Sequence, residues 1–340
     1  MRDIASGQFP ACPLRHPYSA TGMAGSGFGT TFPETLVEPV GILARLSGTV
    51  VTMTARPAEA VWWRLPVRGV TLRGTTQGHA GGRSVAAVVA VHGGPGIDGG
   101  GLRHVLAPLA EQAKLVIPDL RGHGRSDLSA RATWELDEWA DDLACVIDAL
   151  QLQRPVVVGV SFGGWVALRH AARHPEQVAS LVIACTTARL PTVDEGATRM
   201  GRLGGPASAA AWREAHVDPA FEASAAFHEH CLSLMALRQP GPALSAVRAA
   251  QIKTAQVNAH FTPQFTRLDL TADARALRCP VTIVVGEQDP LTTPALAAAT
   301  ARACPPGARL RLIPDAAHDL LVDAPDILMD EVRQALAARQ

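Results

Sequence analysis

Residues 156–168 read Val156-Val157-Val158-Gly159-Val160-Ser161-Phe162-Gly163-Gly164-Trp165-Val166-Ala167-Leu168. A short continuous apolar run, then a serine bracketed by glycines, then an apolar stretch with alanine and leucine reads as strand, tight turn and helix. In such a turn the serine is forced into a strained backbone conformation. A side chain two positions before or after it would collide, which reserves Gly159 and Gly163 for glycine. The strain exposes the Ser161 hydroxyl above the sheet. The helix that follows leaves free N–H groups where negative charge is favoured. A plain strand-to-helix turn would also use glycine and serine, so the meaning depends on the rest of the chain.

Outward from this turn, apolar runs recur at Val85–Val91, Leu115–Ile117, Leu181–Ile183, Val281–Val285 and Leu310–Ile313. They are continuous rather than alternating, as expected of strands buried on both faces of a parallel sheet. Helix-period segments lie between them. In the clearest, Glu135–Leu150, Leu136, Trp139, Leu143, Val146, Ile147 and Leu150 form one stripe. Thr133 is positioned to cap it, and Glu135, Asp137 and Glu138 suit the positive end of its dipole. This alternation predicts an α/β fold with a doubly wound, mostly parallel sheet. Val61–Thr75 reads as a preceding strand or hairpin, because Val67, Val70 and Leu72 alternate with polar or small residues between Gly69 and Gly74.

The rhythm breaks at 190–271, where Ala-rich helical stretches at Ala207–His216, Ser224–Leu237 and Leu244–Ala259 replace strands. This predicts a helical cap inserted between two strands of a core formed by 59–189 and 272–340. Residues 1–58 are rich in Gly and Pro and lack a lasting period, which predicts a poorly ordered extension, or an upstream start with Met23 or Met53 as the real beginning.

Composition excludes several classes of function. The 340 residues carry 31 basic and 31 acidic side chains, and no long run of like charge, so electrostatic nucleic-acid binding is not expected. With 47% apolar and 18% charged residues the chain is not disordered throughout, and no run reaches the ~18 apolar residues a spanning helix needs. Met1–Ser26 does not read as a secretory signal. The six cysteines are scattered without a C-x-x-C pair, which suits reduced thiols and a cytoplasmic protein. Neither a cofactor nor a metal is expected. There is no phosphate-binding glycine motif, and the cap histidines His216, His228, His230 and His260 lack ligand spacing, since His228 and His230 fall on different faces of a helix.

Serine is a weak nucleophile until a base takes its proton and an acid orients that base. After the strand at Val281–Val285 comes Gly286-Glu287-Gln288-Asp289-Pro290, and after Leu310–Ile313 comes Pro314-Asp315-Ala316-Ala317-His318. Loops that follow parallel strands project from one sheet edge, so Ser161, Asp289 and His318 are expected to converge. Asp289 could equally be a turn former and His318 a cap or core histidine, and Glu287 and Asp315 are the other candidate acids. Acyl transfer also needs two N–H donors for the oxyanion. The residue after the serine, Phe162, supplies one, and Gly94, in His92-Gly93-Gly94-Pro95-Gly96, is the expected second.

These residues resemble the α/β-hydrolase superfamily, over about Ser84–Arg189 and from Ala272 to the C-terminus. His92–Gly96 and Asp119-Leu120-Arg121-Gly122-His123-Gly124-Arg125-Ser126 are similar to the prolyl-aminopeptidase branch and its ester-, lactone- and epoxide-hydrolysing relatives, with 119–126 structural. The resemblance implies Ser161 as nucleophile, His318 as base and Asp289 as its acid. It implies a serine hydrolase acting through an acyl-enzyme. Phe162-Gly163-Gly164 is closer to enol-lactonases and small-molecule esterases than to prolyl aminopeptidases, which implies a small carboxylic ester or lactone as substrate. A prolyl aminopeptidase-like peptidase is the alternative. Glu214, Glu222 or Glu229 of the cap would then hold the substrate amine, while Trp212, Phe221, Phe227 and Met235 read as cap core. A ligand receptor or lyase on the same fold is a further alternative. Epoxide hydrolases and dehalogenases carry an aspartate where this chain has Ser161.

Overall fold

The structure, a computed structural model, describes residues 59–78, 86–218 and 224–339. The extension expected over 1–58, the start of the run at Val85, and Phe221 and Glu222 lie outside the described residues.

The chain enters as a hairpin, β1 (Val61–Val67) and β2 (Val70–Gln77). Along β1 only Trp63, Leu65 and Val67 point inward, a period-two pattern that suits a strand at the sheet edge, where Pro66 also costs no ladder bond. Next come β3 (Ala87–Val91), α1 (Gly100–Leu106), β4 (Lys114–Asp119), α2 (Leu136–Ala149), β5 (Val156–Val160), α3 (Phe162–Arg173) and β6 (Ser180–Ala184). After a helical excursion the chain resumes with β7 (Val281–Gly286), and β8 (Arg309–Ile313) follows a further helix. The eight strands lie in the order β1-β2-β4-β3-β5-β6-β7-β8. β1, β2 and β4 pair antiparallel, and every later pairing is parallel.

Every residue of β3, β5, β6 and β7 is buried, because helices cover both faces. One face packs on α2 and α3 through Trp139, Phe162, Trp165 and Val166; the other packs Leu102, Leu106, Leu328 and Val332 against the alternate strand residues. β8 differs from the expected double burial. It is an outer strand, half exposed, and its Arg309 and Arg311 lie on the side of the C-terminal helix, where both pair with the buried Glu331. The helix at α2 also starts differently from the expectation. Its N-cap is Glu135, without a side-chain cap bond, and Thr133 instead closes a preceding 3-10 turn by bonding Ser129 and the Ala130 carbonyl. Asp137 and Glu138 do occupy the first turn.

Between β6 and β7 lie α4 (Val193–Gly204), α5 (Pro206–Val217), α6 (Ala225–His230), α7 (Pro242–Ala249), α8 (Ala255–Phe261) and α9 (Thr271–Ala276). α4 starts with a full capping box, Thr192 with Glu195. Trp212 and Phe227 form a small core with Ala197 and Met200, with Met235 against it. The stretch expected as one helix over Leu244–Ala259 is two. The chain is pulled out of helix at 250–254 because the Ile252 N–H donates to Asp98 and the Thr254 N–H to the Gly96 carbonyl, which ties this segment to the loop after β3. After β7 come α10 (Pro294–Ala303) and, beyond β8, α11 (Leu320–Asp323) and α12 (Pro325–Ala337).

Cys185, Cys231, Cys279 and Cys304 are buried free thiols. Cys145, also buried, is disulfide-bonded, a departure from the expected reduced state. Among the described residues no helix is long and apolar enough to cross a membrane.

Candidate active site

Ser161 sits between β5 and α3 with φ 53° and ψ −120°, in a region that a residue with a side chain rarely adopts. Packing enforces it. A Cβ on Gly159 would stand 2.5 Å from the Gly163 carbonyl oxygen, one on Gly163 would overlap the Val91 and His92 carbonyls, and one on Gly164 would overlap Thr186. Two hydrogen bonds pin the strained residue: its N–H donates to the Ala184 carbonyl and its own carbonyl accepts from the Thr186 hydroxyl, both at 2.8 Å.

Its hydroxyl lies 2.9 Å from His318 Nε2, and His318 Nδ1 lies 2.9 Å from Asp289 Oδ2. His318 comes from the loop after β8, Asp289 from the loop after β7 and Ser161 from the turn after β5, so all three stand at the carboxyl edge of the sheet. Asp289 is fully buried, and its oxygens also accept from the Leu291 and Thr292 N–H groups at 2.8 Å and from the Thr292 hydroxyl. Burial alone would raise the Asp289 pKa, but His318 and these donors outweigh it and hold the carboxyl below its ordinary value. For His318, burial disfavours the charged ring, yet the Asp289 carboxylate overcomes that and the net pKa is raised. The other two candidate acids, Glu287 and Asp315, are exposed, and among the described residues it is Asp289 that bonds the ring. A serine, a base and a buried acid in one hydrogen-bonded line can pass a proton from Ser161 Oγ to the imidazole while Asp289 stabilises the charge that results.

Beside this line is Cys185, whose sulfur, with one donor atom each of Asp289 and His318, falls within a 4.8 Å group. The Asp289 and His318 donors are committed to each other, and burial beside Asp289 pushes the Cys185 thiol well above its ordinary pKa. The set therefore carries a proton line better than a cation.

The loop His92–Gly96 passes against the serine. A Cβ on Gly93 would lie 3.5 Å from Ser161 Cβ, and Gly94 holds φ 130°, open to glycine. Phe162 is the first residue of α3, where N–H groups have no acceptor within the helix. His92 ties this loop down: its Nε2 accepts the Leu120 N–H at 3.2 Å and its Nδ1 faces the Gly93 carbonyl at 2.8 Å. Burial lowers its pKa, which keeps the ring neutral and able to accept. Asp119 closes the arrangement by accepting from the Gly99 and Arg125 N–H groups at 3.0 Å and from Arg103. The segment 119–126 thus has the structural role expected of it.

The cap residues expected to hold a substrate amine do not line up with the serine in any recorded contact: Glu214 and Glu229 are exposed. His216 bonds the Trp212 carbonyl and His260 accepts from Arg131; among the described residues His228 and His230 fall in no cluster of three ligand-type side chains. The sequence marked His92 only as part of its loop, and it did not mark Thr186 or Thr292, which support the reacting residues without belonging to them. The signal for Thr186 was available only as its spacing just beyond β6.

A family model described as the alpha/beta hydrolase fold matches residues 86–325. Over 95 residues the chain is 41% identical to a 2-hydroxymuconate semialdehyde hydrolase of Pseudomonas sp. strain CF600, covering 27% of this chain and 34% of the relative. It is 33% identical over 218 residues to the pimeloyl-[acyl-carrier protein] methyl ester esterase of Chromobacterium violaceum, covering 60% of this chain and 76% of that one. The crystal structure of the enol-lactonase from Burkholderia xenovorans LB400 superimposes with a TM-score of 0.59 at 21% identity, over 81% of this chain and 99% of that one. The chain spans about a third of the length of the first of these relatives.

Proposed function

The chain belongs to the α/β-hydrolase family, and from that premise we propose that it is a serine hydrolase of small carboxylic esters or lactones. The observation that carries the reading is the unbroken line Ser161–His318–Asp289 at 2.9 Å per step, ending on a serine held at positive φ.

In the proposed reaction His318 Nε2 takes the Ser161 proton as Oγ attacks the acyl carbon. The N–H groups of Gly94 and Phe162 receive the oxyanion, and His318 returns the proton to the departing alkoxide. Water then attacks the acyl-enzyme through the same base, releasing the acid and regenerating Ser161. Asp289 stays ionised throughout, orienting the ring and stabilising the imidazolium. The named methyl ester esterase, similar over three quarters of its length, supports an ester substrate; the named lactonase supports the fold alone.

The second reading, a prolyl aminopeptidase-like activity, rests on His92–Gly96. The exposure of Glu214 and Glu229 weighs against it, since an amine is best held by a carboxylate facing the site.

The test is to treat the protein and its Ser161→Ala variant with a fluorophosphonate, then with nitrophenyl esters, lactones and prolyl arylamides. Labelling and ester or lactone turnover that both vanish with Ser161 support the proposal. An unlabelled Ser161 overturns it, and turnover of arylamides alone transfers the case to the peptidase.

A further inference from the structure

His318 is held from two sides. One is Asp289. The other is the cap, which is bonded to residues on either side of His318 in its loop and to the loop that carries Asp289. Arg248 of α7 clasps Asp319, the residue after His318, with two hydrogen bonds of 2.7 and 2.9 Å. The Asp319 N–H donates to the Met235 carbonyl at 2.7 Å. Asp323 of α11 accepts the Ala317 N–H at 2.8 Å and the Leu237 and Arg238 N–H groups at 3.0 Å, and so bridges the residue before His318 to the cap. Arg238 adds bonds to the Asp315 and Asp323 carbonyls at 3.1 and 2.6 Å. Opposite, Arg199 of α4 donates to the Glu287 carbonyl at 2.7 Å, in the loop that carries Asp289.

The charges around the ring are unequal in kind. Asp289 faces it from the loop after β7, and the neutral Cys185 thiol faces it from the end of β6. Asp315 and Asp319 share its own loop, and Asp323 lies on α11. Arg238 and Arg248 approach from the cap, with Arg199 behind Asp289. Asp323 is satisfied by backbone donors from both sides. Among the described residues the charged partner of the Asp319 side chain is Arg248, and it sits on the cap.

Taking His318 as the general base proposed above, we propose that the Arg248–Asp319 pair makes the proton affinity of His318 depend on the seating of the cap. With the cap in place, Arg248 compensates the Asp319 carboxylate, and more of His318 stands neutral and able to take the Ser161 proton. With the cap lifted, the uncompensated carboxylate favours the protonated ring, and a smaller fraction of His318 can activate Ser161. After Asp289, the Asp319 carboxylate next along the chain also favours the protonated ring. Arg248 and Asp319 are positioning residues that act on the reaction only through His318.

The experiment reads the titration of the His318 ring by NMR in the full chain without substrate, its signal assigned by loss in His318→Gln. Because no turnover is needed, failure of the hydrolase proposal and failure of this one give different results. The expected outcome is an upward shift in Arg248→Gln and a downward shift in Asp319→Asn, each of about half a pH unit or more. The double variant Arg248→Gln/Asp319→Asn should return close to the parent value. A latch that merely held the cap would make the two single variants behave alike. Shifts of the same sign, or no shift in either, overturn the proposal. The double variant also guards against misfolding, since it lacks the latch yet should titrate normally.

Discussion

The Thr186 hydroxyl donates to the Ser161 carbonyl at 2.8 Å, and the same side chain fills the space a Cβ on Gly164 would need. The strained serine is therefore held by a threonine on a different strand end, and the glycine beyond it is required by that threonine. Replacing Gly164 by Ala should destabilise the protein by about 1–3 kcal/mol or more through overpacking. Thr186→Ala in the Gly164→Ala background should recover part of that loss. Urea unfolding of the four proteins measures it, and an additive double variant would refute the direct clash.

Asp289→Asn keeps the shape of the side chain and removes its charge. Turnover of whatever substrate the protein takes should fall roughly 10³–10⁴-fold, because the ring loses its orientation and the imidazolium its counter-charge. On the proposed mechanism His318 works as a base only when neutral, and its pKa is raised, so kcat/KM should rise with pH along a limb whose midpoint lies above 6.5. A pH–rate profile with a midpoint below 6.5 would contradict that assignment.

Arg121 and Asp142 form a bidentate pair at 2.7 and 2.8 Å with almost no exposure. Such a pair gives little net stability over apolar residues, but breaking it strands a buried charge. Arg121→Met should therefore cost about 3–5 kcal/mol, seen as a lowered Tm, whereas Arg121→Met/Asp142→Leu should recover most of it. Arg68, 3.8 Å from Asp142, remains as a partial partner and keeps the single-variant cost toward the lower end of that range.

Two further histidines set the acid limit. His123 and His170 are fully buried, each has an Nε2 with no hydrogen-bond partner among the described residues, and burial lowers both to about 3. The unfolded chain binds these two protons below about pH 6.5 and the folded one does not, so stability falls as pH drops from 6.5 toward 3. The slope is about 1.4 kcal/mol per pH unit for each ring. Unfolding free energies at pH 7 and pH 5 should differ less in His170→Gln than in the parent, and an equal difference would remove His170 from the account.

Much of the fold was legible because its signals are local. A buried parallel strand writes itself as a continuous apolar run, and Gly159 and Gly163 mark the turn by what they lack. Chain order at the strand ends was enough to select Ser161, Asp289 and His318, which the structure brings into one hydrogen-bonded line. What escaped depended on contacts between segments far apart in sequence. Thr133 had the chemistry of a cap but spent it on Ser129, and β8 is half exposed as the last strand of the described sheet, its Arg309 and Arg311 pairing with Glu331 of α12. The break at 250–254 comes from Asp98 and Gly96 about 150 residues earlier, so no window on the local sequence contains its cause.

The excursion between β6 and β7 leaves and returns through a narrow neck: Arg189 and Asp269 pair as an isolated bridge, and the Leu270 N–H donates to the Ala188 carbonyl at 2.7 Å. The strands on either side are joined as though the intervening residues were a short turn. The register of β6 against β7 therefore does not depend on the length of what lies between them. The placing of His318 does depend on it, because Arg238, Arg248 and the Met235 carbonyl hold the loop after β8.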